Sequence, residues 1–310
     1  MVKRSTAFLN RDSREKRILP IMYTVDDDER WHDIEEIRKA NPNFGVSVYV
    51  PFFEQRIATA QDDPVARREF LMKHCNIKQS AETAWLDNRL LEGAVSTLTL
   101  ADFSGTYGVG GIDLSQTTAL TAASAVIERG GVEYGFCQFF MPKDRLQRAI
   151  EEDNTPYDIY LEQGVLTLSG ENYVNYRDVY EWFVSLRTQY KINLLKIGYD
   201  RYSHQYLIDD LKSFGYHTDD VFQGDNLTPI IRKLEGTIKD KNFVICGDNH
   251  LLKSHFFNVA LQHNNAKRTF RPVTITRNAR IDGFVSIVDG LTVKDKYIGE
   301  VGNMLANKGR

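Results

Sequence analysis

Two apolar runs joined by a two-glycine turn constrain the fold most strongly. The first run covers residues 110–127 and the second covers residues 132–141. Alternating and β-branched residues on both sides of a short glycine-containing loop are typical of a β-hairpin. Asp113 stands inside the first run, where a charged group is costly unless it is paired or binds a cation. An outward-facing or turn aspartate is the structural alternative.

Composition indicates a globular protein of about two domains. The chain has 310 residues and is 42% hydrophobic, which is enough for buried cores. Its formal net charge is −3, so any binding of nucleic acid must depend on a local basic patch. Cys75, Cys137 and Cys246 are far apart and form no CxxC pair. This pattern favours a reducing compartment and argues against a zinc cluster.

The amino terminus lacks the pattern of a secretory signal. Residues 1–5 read Met-Val-Lys-Arg-Ser, without the apolar core that such a signal needs. No apolar run approaches the roughly 20 residues needed to span a bilayer. We therefore expect a soluble intracellular protein that is not secreted and has no membrane partner.

The residue pattern changes near position 96 and predicts two domains, 1–95 and 96–310. The first is expected to be small and mostly helical, with an isolated strand at 18–25 and helices at 31–38, 50–60 and 64–74. In the second, strands flanked by helices follow the hairpin, which indicates an α/β domain. Its further strands are predicted at 165–168, 192–199 and 217–223, and its helices at 142–153, 157–164, 176–190, 206–214, 228–238, 250–263 and 281–292.

Three aspartates stand where an α/β domain could gather acidic side chains. Asp113 lies in the first strand, Asp200 ends a central buried strand and Asp282 begins the last helix. Open α/β sheets bind ligands at the carboxyl ends of their strands, and carboxylates gathered there repel one another unless cations lie between them. Oxygen ligands without cysteine suit Mg²⁺ or Mn²⁺. Solvation at a strand end and the helix dipole are the structural alternatives for Asp200 and Asp282.

Several short segments of the second domain, taken in order, resemble one protein family. They are Gly111-Ile112-Asp113-Leu114-Ser115, Phe140-Met141-Pro142, Tyr157 with Gly164, Ile197-Gly198-Tyr199-Asp200-Arg201-Tyr202, Gln223-Gly224, Asn258 and Ile281-Asp282-Gly283. Together they resemble the carboxy-terminal nuclease domain of the large terminase subunit of tailed bacteriophages. The resemblance implies an RNase H-like α/β fold, with a mixed central sheet flanked by helices. It also implies a metal-dependent endonuclease site formed by Asp113, Asp200 and Asp282.

The resemblance carries further expectations about partners and place of action. It implies double-stranded DNA as the substrate, with the portal protein and the small terminase subunit as partners. The protein would then act in the host cell cytoplasm and transiently at the procapsid portal. Two Mg²⁺ or Mn²⁺ ions are expected, because a pair about 3.5–4 Å apart suits phosphodiester hydrolysis.

The first domain resembles the end of the same family's packaging ATPase domain and the helical linker behind it. The matching residues are Trp31, residues 40–45 and residues 69–71. The chain has no GxxxxGK[ST] loop to cradle nucleotide phosphates, and we interpret the glycine-rich residues 105–111 as a flexible lead-in. We therefore expect no nucleotide site and no ATP hydrolysis from this chain. The ATPase half would be absent from it, and residues 18–25 would be an orphaned strand of that half's sheet.

Further basic, acidic and histidine residues of the second domain are candidates for roles around the three aspartates. Candidates for contacting the DNA backbone are Lys253, Lys267, Arg268, Arg271, Arg277 and Arg280. Such a cluster beside a nuclease site favours salt-dependent, mostly sequence-independent binding, and a solvated face is the alternative. Asp289 is interpreted as an additional outer carboxylate or as part of a solvated face. His250 and His255 are out of phase for a zinc pair, so we expect them to be structural or to lie near the rim of the site.

The first functional hypothesis is a Mg²⁺- or Mn²⁺-dependent endonuclease that cuts concatemeric phage DNA without a covalent intermediate. Asp113, Asp200 and Asp282 would hold the metals. A second hypothesis is another RNase H-like nuclease, such as a junction resolvase, which would prefer branched DNA. A third is a module that docks onto the portal protein or the small subunit and cuts nothing alone.

Overall fold

The chain divides into two compact units between Glu82 and Thr83. A computed structural model describes residues 8, 19–27, 30–62, 64–77, 85–86, 88–91, 93–114, 120–153, 155–200, 205–264, 267–275 and 279–297. The division falls earlier than the expected boundary at 95/96, because the residues after it pack on the larger unit. The backbone N–H of Trp85 donates to the carbonyl oxygen of Val259 at 3.0 Å, and its indole lies 4.8 Å from the ring of Phe284.

The smaller unit contains three described helices, α1 (Ile34–Ala40), α2 (Val50–Asp62) and α3 (Pro64–His74). Their apolar faces enclose a small core around Ile37, Phe53 and Phe70, all of them buried. The strand predicted at 18–25 is wrong over residues 19–25, which form no strand, while residue 18 lies outside the described residues. Leu19 is 83% exposed, whereas Val25 is 4% exposed and packs in the core of the smaller unit, so only the end of this apolar run is buried.

The larger unit carries the described strands and the remaining helices. The strands are β1 (Tyr107–Asp113), β2 (Thr121–Arg129), β3 (Val132–Met141), β4 (Leu166–Leu168), β5 (Asn193–Asp200), β6 (Thr218–Val221), β7 (Phe243–Ile245), β8 (Val259–Asn264) and β9 (Thr269–Thr274). The α-helices are α4 (Leu146–Asp153), α5 (Tyr157–Glu162), α6 (Tyr176–Thr188), α7 (Gln205–Phe214), α8 (Thr228–Lys239), α9 (His250–Phe257) and α10 (Asp282–Lys296). Short 3-10 helices cover Asn88–Leu91, Leu100–Phe103, Lys143–Arg145 and Asp225–Leu227. Within the described part of the chain, no helix combines the length and the apolar character needed to cross a membrane.

The central sheet is mixed. Over the described residues its strand order is β4-β3-β2-β1-β5-β6, and β7 also pairs with β3. The pairs β1–β2 and β2–β3 are antiparallel, whereas β1–β5 and β5–β6 are parallel. The parallel pairs bring the carboxyl ends of β1, β5 and β6 to the same edge of the sheet, which is where open α/β sheets bind ligands.

Helices cover both faces of the sheet. One face packs against α6 and α7 through Val179, Phe183 and Leu207, and the other packs against α8, α9 and α10 through Phe284 and Ile287. Each large apolar side chain that is fully buried in this way stabilises the fold by about 1.5–3 kcal/mol. The site described below therefore lies on a three-layered support, a sheet between two layers of helices.

Two glycines let α10 lie directly on the sheet. A Cβ atom at Gly111 of β1 would lie 1.8 Å from the carbonyl oxygen of Ser286. A Cβ atom at Gly198 of β5 would lie 2.3 Å from the carbonyl oxygen of Asp289. Any side chain at either position would push the helix away. The two glycines therefore fix how close α10 comes to the two strands that end in aspartates.

Three expectations for the larger unit also need correction. The run 110–127 is not one strand, since β1 ends at Asp113 and β2 begins at Thr121, while β2 and β3 form the predicted hairpin. The interpretation of residues 105–111 as a flexible lead-in is wrong, because Tyr107 begins a buried strand that pairs on both sides. The helix predicted at 250–263 ends at Phe257, and Asn258 leads directly into β8.

Candidate metal centre

Asp113 and Asp200 are the last residues of neighbouring parallel strands. The register pairs Gly111 with Gly198, so the two aspartates, each two residues further on, lie at the same level. Alternate residues of a strand point to the same side of the sheet. Because both glycines face α10, both carboxylates lie on the side of the sheet that α10 covers.

Asp282 is the first residue of α10. The helix has no side-chain cap at its amino terminus, but the backbone N–H of Gly283 donates to Nδ1 of His255 at 2.9 Å. This bond satisfies one of the unpaired amide groups of the first turn. The Asp282 side chain is 18% exposed, and its Oδ2 lies 3.9 Å from Nδ1 of His255. That oxygen is buried and has no hydrogen-bond partner among the described residues.

The three aspartates interact electrostatically. Burial raises the pKa of Asp113 well above its usual value, and the negative charges of Asp282 and Asp200 raise it further. Burial also raises the pKa of Asp282 to about 6, although its own backbone amide and the nearby Arg280 oppose this. The structure thus brings the three predicted residues to one end of the sheet, within electrostatic reach of one another. A cation among them would relieve both the burial cost and the repulsion.

The acidic side chains have the chemistry of a site for a hard divalent cation. The described residues hold no group of three or more His, Cys, Asp or Glu side chains already arranged around a metal position. Residues 115–119, 201–204 and 276–278 lie close in sequence to the three aspartates and fall outside the described residues. A Mg²⁺ or Mn²⁺ ion would satisfy the buried Oδ2 of Asp282, which has no hydrogen-bond partner among the described residues, and would relieve the repulsion of Asp113 by Asp282 and Asp200. The residues present therefore fit such an ion.

His255 lies inside the protein beside Asp282 and not at an exposed rim. Its side chain is 1% exposed and lies 4.8 Å from the ring of Phe139. Burial lowers the pKa of His255 to about 3, so the ring is neutral at pH 7. Since Nδ1 accepts from Gly283, the proton is on Nε2. His250 is different, because it is partly exposed and lies 3.3 Å from Asp248.

Arg280, predicted to contact DNA, is engaged in an ion pair two residues before Asp282. Its Nε donates to Oδ2 of the buried Asp153 at 3.0 Å, and the hydroxyl of Tyr157 donates to the same oxygen at 2.9 Å. Nδ2 of Asn258 donates to the carbonyl oxygen of Arg280 at 3.0 Å. These bonds hold the segment that leads into α10. Tyr157 and Asn258, which both belong to the motifs that carry the resemblance, therefore have a structural role.

Asp289 is a fourth carboxylate near the three aspartates, and it lies on the same face of α10 as Asp282. Its interpretation as part of a solvated face is wrong. It is completely buried, and its Oδ1 accepts a hydrogen bond of 2.7 Å from Nε2 of Gln223. Burial raises the pKa of Asp289 well above its usual value and the charge of Asp113 adds to this, while Gln223 opposes it. Asp289 lies seven positions, or two helical turns, after Asp282 and therefore on the same face of α10.

The other basic candidates lie on the late helix and the hairpin that follows it. Lys253 is on α9, with its Nζ 5.6 Å from the ring of Phe257. Lys267 and Arg268 lie in the turn between β8 and β9 and are exposed. Arg271 lies on β9, where its Nε donates to Gln262 at 2.8 Å. Arg277 lies outside the described residues.

Two curated proteins align with much of the chain. Protein YmfN of Escherichia coli strain K12 is 28% identical over 183 residues, which cover 56% of this chain and 40% of YmfN. The terminase large subunit of Lactococcus phage p2 is 23% identical over 237 residues, which cover 74% of this chain and 43% of that protein. The chain therefore spans less than half the length of either relative.

A solved structure and a family model assign the fold and the family. The HK97 bacteriophage large terminase matches with a TM-score of 0.60 at 20% sequence identity, over 94% of this chain and 59% of that chain. This match, with the mixed sheet flanked by helices, confirms the predicted RNase H-like α/β fold. The family model described as terminase large subunit, endonuclease domain matches residues 16–296. The chain therefore belongs to the terminase large subunit endonuclease domain family.

Proposed function

We propose that this chain is a divalent-metal-dependent endonuclease that hydrolyses concatemeric double-stranded phage DNA during genome packaging. One observation carries the proposal. Asp113, Asp200 and Asp282 lie at one end of the sheet, and burial and mutual repulsion raise the pKa of Asp113 there. Membership of the terminase endonuclease family supports the reaction class.

The proposed mechanism assigns a role to each aspartate. When bound, two Mg²⁺ or Mn²⁺ ions would supply an activated water and stabilise the leaving oxygen of the phosphodiester. Asp113 and Asp200 would hold the ions from the strand ends, in positions set by the parallel register of β1 and β5. Asp282 would hold them from the helix, whose first turn is fixed by the hydrogen bond between Gly283 and His255. No nucleophilic side chain is required, so no covalent intermediate is expected.

Contacts to the DNA backbone and to other proteins form the second part of the proposal. The exposed Lys267 and Arg268, together with Arg271 of the same hairpin, would contact phosphates. Binding would therefore weaken as salt rises and depend little on sequence. The portal protein and the small terminase subunit are the proposed partners. The chain contains no GxxxxGK[ST] loop, so we expect no ATP hydrolysis from it.

A plasmid assay tests the reaction. Supercoiled plasmid is incubated with purified protein in Mn²⁺, in Mg²⁺ and in chelator, with Asp113→Asn as the inactive variant. Asp295→Asn is the matched control, because Asp295 is an exposed acid near the far end of α10. We expect metal-dependent nicking or linearisation by the wild type and by Asp295→Asn, and none by Asp113→Asn.

The same assay separates the alternatives. Equal activity of Asp113→Asn and wild type would contradict the proposed site. Strong preference for a four-way junction over linear duplex would favour a junction resolvase. Intact DNA in every lane, with protein shown to be folded by circular dichroism, would favour the docking module.

A further inference from the structure

We propose that Asp289 is a fourth ligand of the metal centre, held in place by Gln223. The inference rests on the proposed function as a metal-dependent nuclease, and it extends the site from the three aspartates at its edge to a carboxylate beneath them. Two features carry it, namely the direction of the Asp289 side chain and the unpartnered state of one of its oxygens.

The position of Asp289 on α10 directs its side chain towards the other carboxylates. Its carbonyl oxygen would lie 2.3 Å from a Cβ atom on Gly198, so its backbone lies directly over β5, two residues before Asp200. Helical side chains lean towards the amino terminus of their helix. The amino terminus of α10 carries Asp282, which interacts electrostatically with Asp113 at the strand end. The Asp289 carboxylate therefore leans from beneath towards Asp113 and Asp200.

One oxygen of Asp289 is held and the other is unsatisfied. Oδ1 accepts the 2.7 Å hydrogen bond from Gln223, whereas Oδ2 is buried and has no hydrogen-bond partner in the described part of the chain. A buried carboxylate oxygen left in this state is costly. Because the neighbouring charges of Asp113 and Asp200 are also negative, a cation would satisfy all three together.

The residues around Asp289 show that packing does not require an acid there. Ile287, Val288 and Leu291 on the same helix are buried apolar residues, and Gly290 lies against the backbone of β1. An apolar or small residue would complete this layer without a buried charge. Side chains that bind a metal are commonly oriented by a hydrogen bond to the polar atom that does not contact the metal. Gln223, in the loop after β6, makes such a bond to Oδ1 of Asp289.

The test is Mn²⁺ affinity, measured at one pH by the electron paramagnetic resonance signal of free Mn²⁺. Wild type, Asp289→Asn, Gln223→Met and the control Asp295→Asn are compared as full chains. Asn keeps the size of the side chain and the bond to Gln223 but removes the charge. We expect Asp289→Asn to weaken the binding of at least one Mn²⁺ ion by roughly 100-fold and Gln223→Met by roughly tenfold, the range found when metal-site supports are removed. Asp295→Asn should bind as the wild type does.

The outcomes distinguish this inference from the proposed function. If Asp289→Asn binds Mn²⁺ as tightly as the wild type while Asp113→Asn does not bind it, the fourth ligand is excluded and the nuclease proposal stands. If the wild type binds no Mn²⁺, both are overturned. If Asp289→Asn does not fold, Gln223→Met decides, because affinity equal to the wild type would overturn the inference and a roughly tenfold loss would support it.

Discussion

The acidic side chains around the two ends of α10 differ in whether a basic side chain pairs with them. Near its carboxyl end, Nζ of Lys294 lies 2.7 Å from both Glu128 and Glu133, and Lys296 pairs with Asp219 at 2.8 Å. Along its first half, from Asp282 to Asp289, no lysine or arginine in the described part of the chain forms an ion pair with Asp282, Asp289 or the nearby Asp113.

This difference separates acids that are paired within the fold from acids that we propose bind a metal ion. Lys294 pairs with both Glu128 and Glu133, and although burial lowers the pKa of Lys294, its hydrogen bonds to the two glutamates raise it overall. The acids at the other end instead raise the pKa of their neighbours. Such an arrangement lowers the stability of the folded state unless a cation is supplied from solution. Asp153 shows that an acid close to the site can be paired within the protein, since Arg280 and Tyr157 bind it.

The largest expected effect is at the amino end, in cleavage. Asp282→Asn removes one ligand charge while keeping the size of the side chain. We expect plasmid cleavage in Mn²⁺ to fall by on the order of 10²–10³-fold, the loss typical of removing one preorganised electrostatic group. Urea unfolding in chelator should show no loss of stability, because the wild-type carboxylate is destabilised by burial. Cleavage at the wild-type rate would break the proposed contrast between the two ends.

The next effect is at the carboxyl end, in stability. Lys294→Met leaves Glu128 and Glu133 without their shared cation, and the lysine side chain is only 15% exposed. We expect the free energy of unfolding in urea to fall by about 1–3 kcal/mol. Cleavage per folded molecule should not change, because Lys294 belongs to the structural end. A loss of cleavage with unchanged stability would reverse the assignment of the two ends.

The smallest expected effect concerns an exposed pair at that same end. The Lys296 side chain is 55% exposed, so solvent screens its interaction with Asp219. We expect Lys296→Ala to change the free energy of unfolding by less than about 1 kcal/mol. Thermal unfolding of the two lysine variants side by side measures this. A larger loss for Lys296→Ala than for Lys294→Met would show that burial does not decide the strength of these pairs.

Local sequence patterns predict the elements whose formation does not depend on contacts with distant parts of the chain. The β2–β3 hairpin and the apolar stripe of Val179, Trp182, Phe183 and Leu186 in the helix predicted at 176–190 follow local periodicity. The structure forms the hairpin and buries the stripe, except that Trp182 is only partly buried. The glycines before Asp113 do not form the predicted flexible lead-in. Gly111 is needed because α10, which comes much later in the chain, packs against it. The helix predicted at 250–263 was extended too far for a similar reason. Val259–Asn264 continues an apolar pattern but pairs with β9.

The candidate site was partly accessible from sequence. Strand ends and a helix start indicated Asp113, Asp200 and Asp282, and the structure brings them to one end of the sheet. Their roles as ligands stay predictions. The hydrogen bonds that hold the residues around the site could not be predicted from sequence. Arg280 and Asp153 are far apart in the chain, as are Gln223 and Asp289. Only the fold brings such partners together.

The most direct test of the account is the thermal stability of the wild type and of Asp113→Asn, each in chelator and in saturating Mn²⁺. In chelator, we expect Asp113→Asn to be more stable, because it removes a carboxylate whose pKa burial and repulsion raise. In Mn²⁺ the order should reverse, since an ion at 100 times its dissociation constant stabilises the wild type by about 2.7 kcal/mol. Stabilities that do not respond to Mn²⁺, or the same order in both conditions, would contradict a metal centre at the amino end of α10.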